Sequence, residues 1–165
     1  MNIQIADWVF EVDVPATMSL SGLNASDHCQ CGYCRNYYLT IDKVCPSLRS
    51  VLLRFGIHIE GPDELSPYEP TIYEASYIVQ GKILHKGKDR LFVDGVPVQI
   101  KDVVEADIET EHPLPYFVIC IGLIELPWAL DEPQDHVISP ANEPEYLERM
   151  QKKLLSRMYD EEIIS

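Results

Sequence analysis

The run Tyr116-Phe117-Val118-Ile119-Cys120-Ile121-Gly122-Leu123-Ile124 has no polar residue at alternate positions. A strand with one wet face alternates apolar and polar side chains, so an uninterrupted apolar run marks a central strand covered on both faces. Cys120 is then a buried, unreactive thiol. The run ends at Leu126, contains Glu125, and is too short to cross a hydrocarbon layer of about 30 Å.

Working upstream, the chain keeps a β character back to Thr71. Tyr73 to His85 is rich in Tyr, Ile and Val, with Gly81 as the expected bulge. Asp94-Gly95 between Leu91-Phe92-Val93 and Val96-Pro97-Val98-Gln99-Ile100 is the strongest hairpin signal in the chain. Pro97 lacks a backbone N–H, which puts its strand at an edge or restricts the side that can pair. Val104, Ala106 and Ile108 alternate with Glu105, Asp107 and Glu109, predicting another strand, and Glu111-His112-Pro113 predicts a turn. Gly61 to Pro70, with three prolines and several acids, reads as a loop.

Nearer the N-terminus, Trp8, Phe10, Val12 and Val14 alternate with Glu11 and Asp13, a half-buried strand ended by Pro15. Residues 16–26 are small and polar and read as a loop. Cys34, Tyr37, Tyr38, Ile41 and Cys45 then recur at i, i+3, i+4, i+7 and i+11, one face of a helix that begins near Gly32 or, with Asp27 as its cap, one turn earlier. Pro46 suits the first position of a second helix, Leu48, Val51, Leu52 and Phe55 form its apolar stripe, and Gly56 suits its C′ position. This helical pair, about 31–56, should cover one face of the sheet. A C-terminal helix is expected over about 142–159. Asn142 and Glu145 resemble a capping box there, and Leu147, Met150, Leu154 and Met158 form a stripe.

Reactive groups concentrate in Asp27-His28-Cys29-Gln30-Cys31-Gly32-Tyr33-Cys34. The plain reading is core packing, since unpaired cysteine is among the most buried residue types. A zinc site is the second: His28, Cys29, Cys31 and Cys34 are four soft ligands in seven residues, although no second separated ligand pair accompanies them. Thiol–disulfide chemistry is the third, since Cys31-Gly32-Tyr33-Cys34 opens a helix, whose N-terminus favours a thiolate. That motif ordinarily follows a strand directly, and here a polar loop intervenes.

Cys31-Gly32-Tyr33-Cys34-Arg35-Asn36-Tyr37, led by His28 and Cys29 and followed by Gly56-Ile57, resembles a group of small bacterial proteins of unknown function. The resemblance covers about a third of the chain. It implies a β-rich cytoplasmic bacterial domain and assigns no catalytic residue.

At 165 residues, with 46% hydrophobic and 24% charged residues, the chain suits one globular domain spanning residues 1–165. The net charge of −14 repels phosphate backbones and anionic lipid, arguing against nucleic acid and membrane as partners. It is compatible with a basic protein partner. Five cysteines cannot all pair internally, and the N-terminal residues lack a signal-peptide pattern, so reduced thiols in a cytoplasm are expected. No Gly-x-Ser-x-Gly, phosphate-binding loop or dinucleotide fingerprint is present.

The expectation is an α+β domain: a mainly antiparallel β-sheet or β-sandwich of about six strands, an inserted helical pair and a C-terminal helix. The expected function is non-catalytic protein binding by an acidic, immunity- or inhibitor-like domain. The alternative is a thiol- or zinc-centred site at His28, Cys29, Cys31 and Cys34.

Overall fold

The computed structural model describes residues 1–21, 31–69, 71–88 and 90–131. The elements in chain order are β1 (Asn2–Ile5), β2 (Trp8–Val12), α1 (Val14–Leu20), α2 (Gly32–Val44), α3 (Pro46–Arg54), β3 (Glu64–Glu69), β4 (Ile72–His85), β5 (Leu91–Val93), β6 (Val96–Lys101), α4 (Val103–Ala106) and β7 (Tyr116–Glu125). The fold is α+β, and of the two β arrangements expected it adopts the sheet. A single seven-stranded sheet runs in the order β1-β2-β4-β7-β6-β5, with β3 also paired to β4, and every pairing is antiparallel.

The apolar run forms β7 at the sheet centre, between β4 and β6. Its side chains alternate between two covered faces. Phe117, Ile119 and Ile121, together with Tyr73, Ala75, Tyr77 and Val79 of β4, join Tyr37, Ile41, Leu48 and Leu52 in the main core. On the opposite face Ile78, Tyr116, Val118 and Cys120 pack against Val103, Ala106 and Ile108.

The helical pair covers the first face as expected. Gly32 opens α2, with Cys31 at the N-cap, and Cys45 alone links α2 to α3. Cys45 offers α3 no side-chain cap. The cap comes instead from the Asp94-Gly95 hairpin, where Asp94 Oδ2 accepts the Leu48 N–H at 2.9 Å. Asp94 and Gly95 both have positive φ, 55° and 74°, matching the turn that right-twisted strands favour. At the far end of α3, the Ile57 N–H donates to Leu52 O at 3.1 Å and the Gly56 N–H to Leu53 O at 3.0 Å. That is a Schellman cap with Gly56 as its left-handed residue. Phe55, just beyond α3, meets Phe10 of β2 and Phe117 of β7 at ring separations of 5.4 and 6.3 Å, which locks both sheet and helices to one aromatic centre.

Several expectations are corrected. Residues 16–20 are helical rather than loop. Asp13 caps α1 through its carboxylate on the Ala16 N–H at 3.0 Å, and Pro15 sits in the first turn, where its missing N–H is harmless. Glu64–Glu69 is a strand rather than loop, and Pro67 is tolerated because β3 pairs with β4 alone. Val103–Ala106 is a helical turn rather than a strand, made by a reciprocal capping box between Asp102 and Glu105 and ended by Asp107 at φ 45°. Of the two readings of Pro97 the second holds: β6 lies inside the sheet, and Pro97 falls in the part of it that pairs only with β5. Gly81 marks a close approach rather than the bulge, since a Cβ there would lie 2.1 Å from Glu11 O. The register shift in that ladder falls at Val9/Phe10. The expected helix at 142–159 lies outside the described residues.

The long strand β4 serves two neighbours in succession. β3 pairs with Ile72–Ser76 and β2 with Gly81–His85. Between them, Asp63 accepts the Ile78 N–H at 2.7 Å and Thr17 Oγ1 of α1 accepts the Gln80 N–H at 3.0 Å. Residues 76, 78 and 80 share one edge by the two-residue period of a strand, so side chains close the gap where no strand reaches.

Candidate functional site

The first turn of α2 brings two of the four candidate ligands together. Cys31 is half-exposed at the N-cap, and Cys34 is buried one turn later. His28 and Cys29 lie outside the described residues. Among the described residues no group of three or more His, Cys, Asp or Glu side chains could hold a metal ion.

The side chains of α2 that follow the cysteines organise a buried polar network. Asn36, fully buried, donates from Nδ2 to Pro127 O at 3.0 Å and to the Tyr73 hydroxyl at 3.3 Å, and its Oδ1 accepts the Ala129 N–H at 2.8 Å. It thereby ties the segment after β7 to the helix, aided by an edge-to-face contact of Tyr33 with Trp128 at 5.6 Å. The Tyr73 hydroxyl donates to Tyr33 O at 2.9 Å. The Tyr37 and Tyr77 hydroxyls meet at 2.5 Å, and Tyr77 donates to Ile59 O at 2.5 Å. Tyr37 therefore donates to Tyr77, and the relay ends on a backbone carbonyl.

Burial pushes the Tyr73 phenol up to about 12, and it moves the Tyr37 and Tyr77 phenols well above their ordinary range. The same cause raises the Cys45 and Cys120 thiols. The nearby Asp94 carboxylate adds to the Cys45 shift, while the hydrogen bond from Ser76, with sulfur and oxygen 3.2 Å apart, partly offsets that of Cys120. Each of these groups is held in its neutral form, the reverse of what a thiolate or phenolate nucleophile needs.

The opposite face carries a different constellation. His112 Nε2 lies 3.3 Å from Asp63 Oδ1, and His112 Nδ1 faces Gln80 Nε2 at 3.3 Å. With the Gln80 amide donating, Nε2 holds the imidazole proton and donates to Asp63. This pair was hidden in the sequence, where Glu111-His112 reads as an exposed turn. Asp63 and His112 are far apart in the chain, and no spacing announces them. The pair fastens the segment after α4 to the β4 edge through the contacts of the ring with Asp63 and Gln80.

That fastened segment is the most distinctive surface in the described residues. From Asp102 to Glu111 it carries Asp102, Glu105, Asp107, Glu109 and Glu111 and no Lys or Arg. Glu105, Asp107, Glu109 and Glu111 are exposed, while Ala106 and Ile108 between them pack inward against the sheet. The alternation noticed in the sequence separates a wet from a dry side only from Glu105 onward, since Val104, the first of its apolar positions, is exposed. Lys86, just past the end of β4, reaches across to Glu105 at 2.9 Å and Asp102 at 3.4 Å. Those carboxylates raise the lysine, and the Glu105 backbone N–H foremost lowers Asp102. Compared with known protein families, characterised proteins and solved structures, the chain matches none. No helix among the described residues is long and apolar enough to cross a membrane.

Proposed function

We propose that this chain is a non-catalytic, acidic protein-binding domain of the bacterial cytoplasm, immunity- or inhibitor-like in kind, that engages a basic protein partner. The observation that carries this reading is the 102–111 segment. Its exposed carboxylates follow one another along the chain with no Lys or Arg between them, Lys86 engaging Glu105 and Asp102 from outside the segment, and the segment is held to the sheet by Ala106, Ile108 and the His112–Asp63 contact. Complementary charge of this kind speeds encounter and selects the sign of the partner. The neutral, buried state of Cys45, Cys120 and the three core tyrosines supports a binding role over a catalytic one.

The test is co-purification with the tagged full chain at low and high salt, beside a Glu105→Lys/Asp107→Lys/Glu109→Lys variant. A basic partner retained at low salt, released at high salt and lost with the variant is the expected result. A partner that the charge-reversed chain holds equally well would sink the reading. The thiol- or zinc-centred alternative has one observation in its favour, the closeness of Cys31 and Cys34 at the start of α2. Near-stoichiometric zinc, lost on Cys34→Ser, would put that alternative in first place.

A further inference from the structure

Beside the acidic segment, the surface opens into a cleft of about 330 Å³ lined by Ile83, Lys86, Asp102, Val103, Val104, Tyr116 and Phe117. Its walls come from the end of β4, from α4 and from the start of β7. The lining is apolar apart from Lys86, Asp102 and the Tyr116 hydroxyl. The rim is charged: Lys86 Nζ is already held by Glu105 and Asp102, so no free cation of the lining is left to greet an anion. Val104 of the lining has 87% of its surface exposed, on a short helical turn between Asp102 and Asp107.

We infer that this cleft is the anchor point of the acidic surface, taking one aliphatic side chain of a basic partner protein while flanking lysines or arginines of that partner meet Asp107, Glu109 and Glu111. The inference rests on the proposed function and locates it. Charge complementarity fixes the occupant. A second copy of a chain carrying −14 would bring like charge to the rim, and an acidic ligand would face carboxylates with the nearest lysine already engaged. A basic segment with a central aliphatic residue satisfies both the apolar lining and the rim. Anchor residues that fill small desolvated pockets, surrounded by charged contacts, are the usual distribution of binding energy at interfaces.

The experiment uses the full chain, labelled with ¹⁵N, titrated with two capped pentapeptides, Lys-Lys-Leu-Lys-Lys and Lys-Lys-Gly-Lys-Lys. With the leucine peptide, amide shifts should centre on Ile83, Val104 and Tyr116, and affinity should exceed that of the glycine peptide by roughly tenfold, the worth of burying one aliphatic side chain. Val104→Asn keeps the charge and removes the aliphatic mouth of the cleft. At so exposed a position it leaves the fold intact, and it should bring the two peptides close together. Equal affinity for both peptides, with shifts spread over the carboxylates and not the cleft, would overturn the anchor while leaving an acidic binding surface. Failure of either peptide to bind at low salt would overturn both the anchor and the proposed function. Sedimentation that finds a dimer broken by Val104→Asn would assign the cleft to a second copy and overturn the basic partner.

Discussion

The hydroxyl relay under α2 shows how a single oxygen is weighed by what it leaves behind. Tyr77→Phe strands both Ile59 O and the Tyr37 O–H in the core, and a buried unpaired group of this kind costs about 1–3 kcal/mol. Tyr37→Phe removes a donor but leaves Tyr77 still bonded to Ile59, so its loss should be smaller. Chemical denaturation of the two variants should rank them in that order, and the reverse ranking would mean that Tyr77 donates elsewhere. The same phenols make stability depend on alkaline pH. Tyr73 is pushed up to about 12 in the folded chain, whereas an unfolded tyrosine titrates at about 10. Above the unfolded value, the unfolded chain has lost protons that the folded chain keeps. Stability is therefore complete below that pH and falls as pH rises toward the folded value. Melting temperature should drop over this interval, and Tyr73→Phe should flatten the drop. The periodic face containing Tyr37 was readable from the sequence, since i, i+3, i+4 spacing reports a buried stripe. The partners of Asn36 were not, because Pro127 and Ala129 lie some ninety residues away and no local pattern encodes a contact of that range.

Among the elements, the legible ones were those whose signals are local and unopposed: the apolar run of β7, the Asp94-Gly95 hairpin, and the α2–α3 pair closed by Gly56. The misread ones carried conflicting signals. Pro67 argued against a strand that exists only because it lies at an edge. Alternation from Val104 argued for a strand where the Asp102–Glu105 capping box had already committed the chain to a helical turn. Asp13 followed by Pro15 is a helix start that the strand pattern before it obscured. For the glycines, position decides the cost. Gly56 has φ 88° and an added Cβ would lie 2.6 Å from Val14 O, whereas Gly95 has φ 74° with open space around it. Gly95→Ala should carry only the backbone penalty, about 1–2 kcal/mol. Gly56→Ala must also displace α1, and thermal melts should show it as clearly the more damaging of the two. Parity between them would mean that α1 yields without resistance.

At the scale of the whole molecule, the charge of −14 works against compactness. Self-repulsion weakens as added salt shortens the Debye length from about 30 Å at 0.01 M to about 3 Å at 1 M. Melting temperature should accordingly rise with sodium chloride over that range, and calorimetry would reveal a flat or falling trend if ion pairs such as Lys86–Glu105 dominated instead. The fold class was legible because strand and helix periods alternate cleanly along the chain. The acids of 102–111 were legible as a contiguous stretch, while the contacts of Ala106, Ile108 and His112 that hold the stretch to the sheet were not, because their partners lie far away in the chain. One feature of the sheet bears on how the protein is made. Strand β2 has no place to dock until the far end of β4 exists, because Val9–Val12 pair with Gly81–His85. The intervening stretch of about 70 residues takes roughly 3.5–14 s to synthesise at the usual pace of translation. Throughout that interval the first hairpin leaves the ribosome with an unpaired edge, a window in which a nascent-chain chaperone has something to hold.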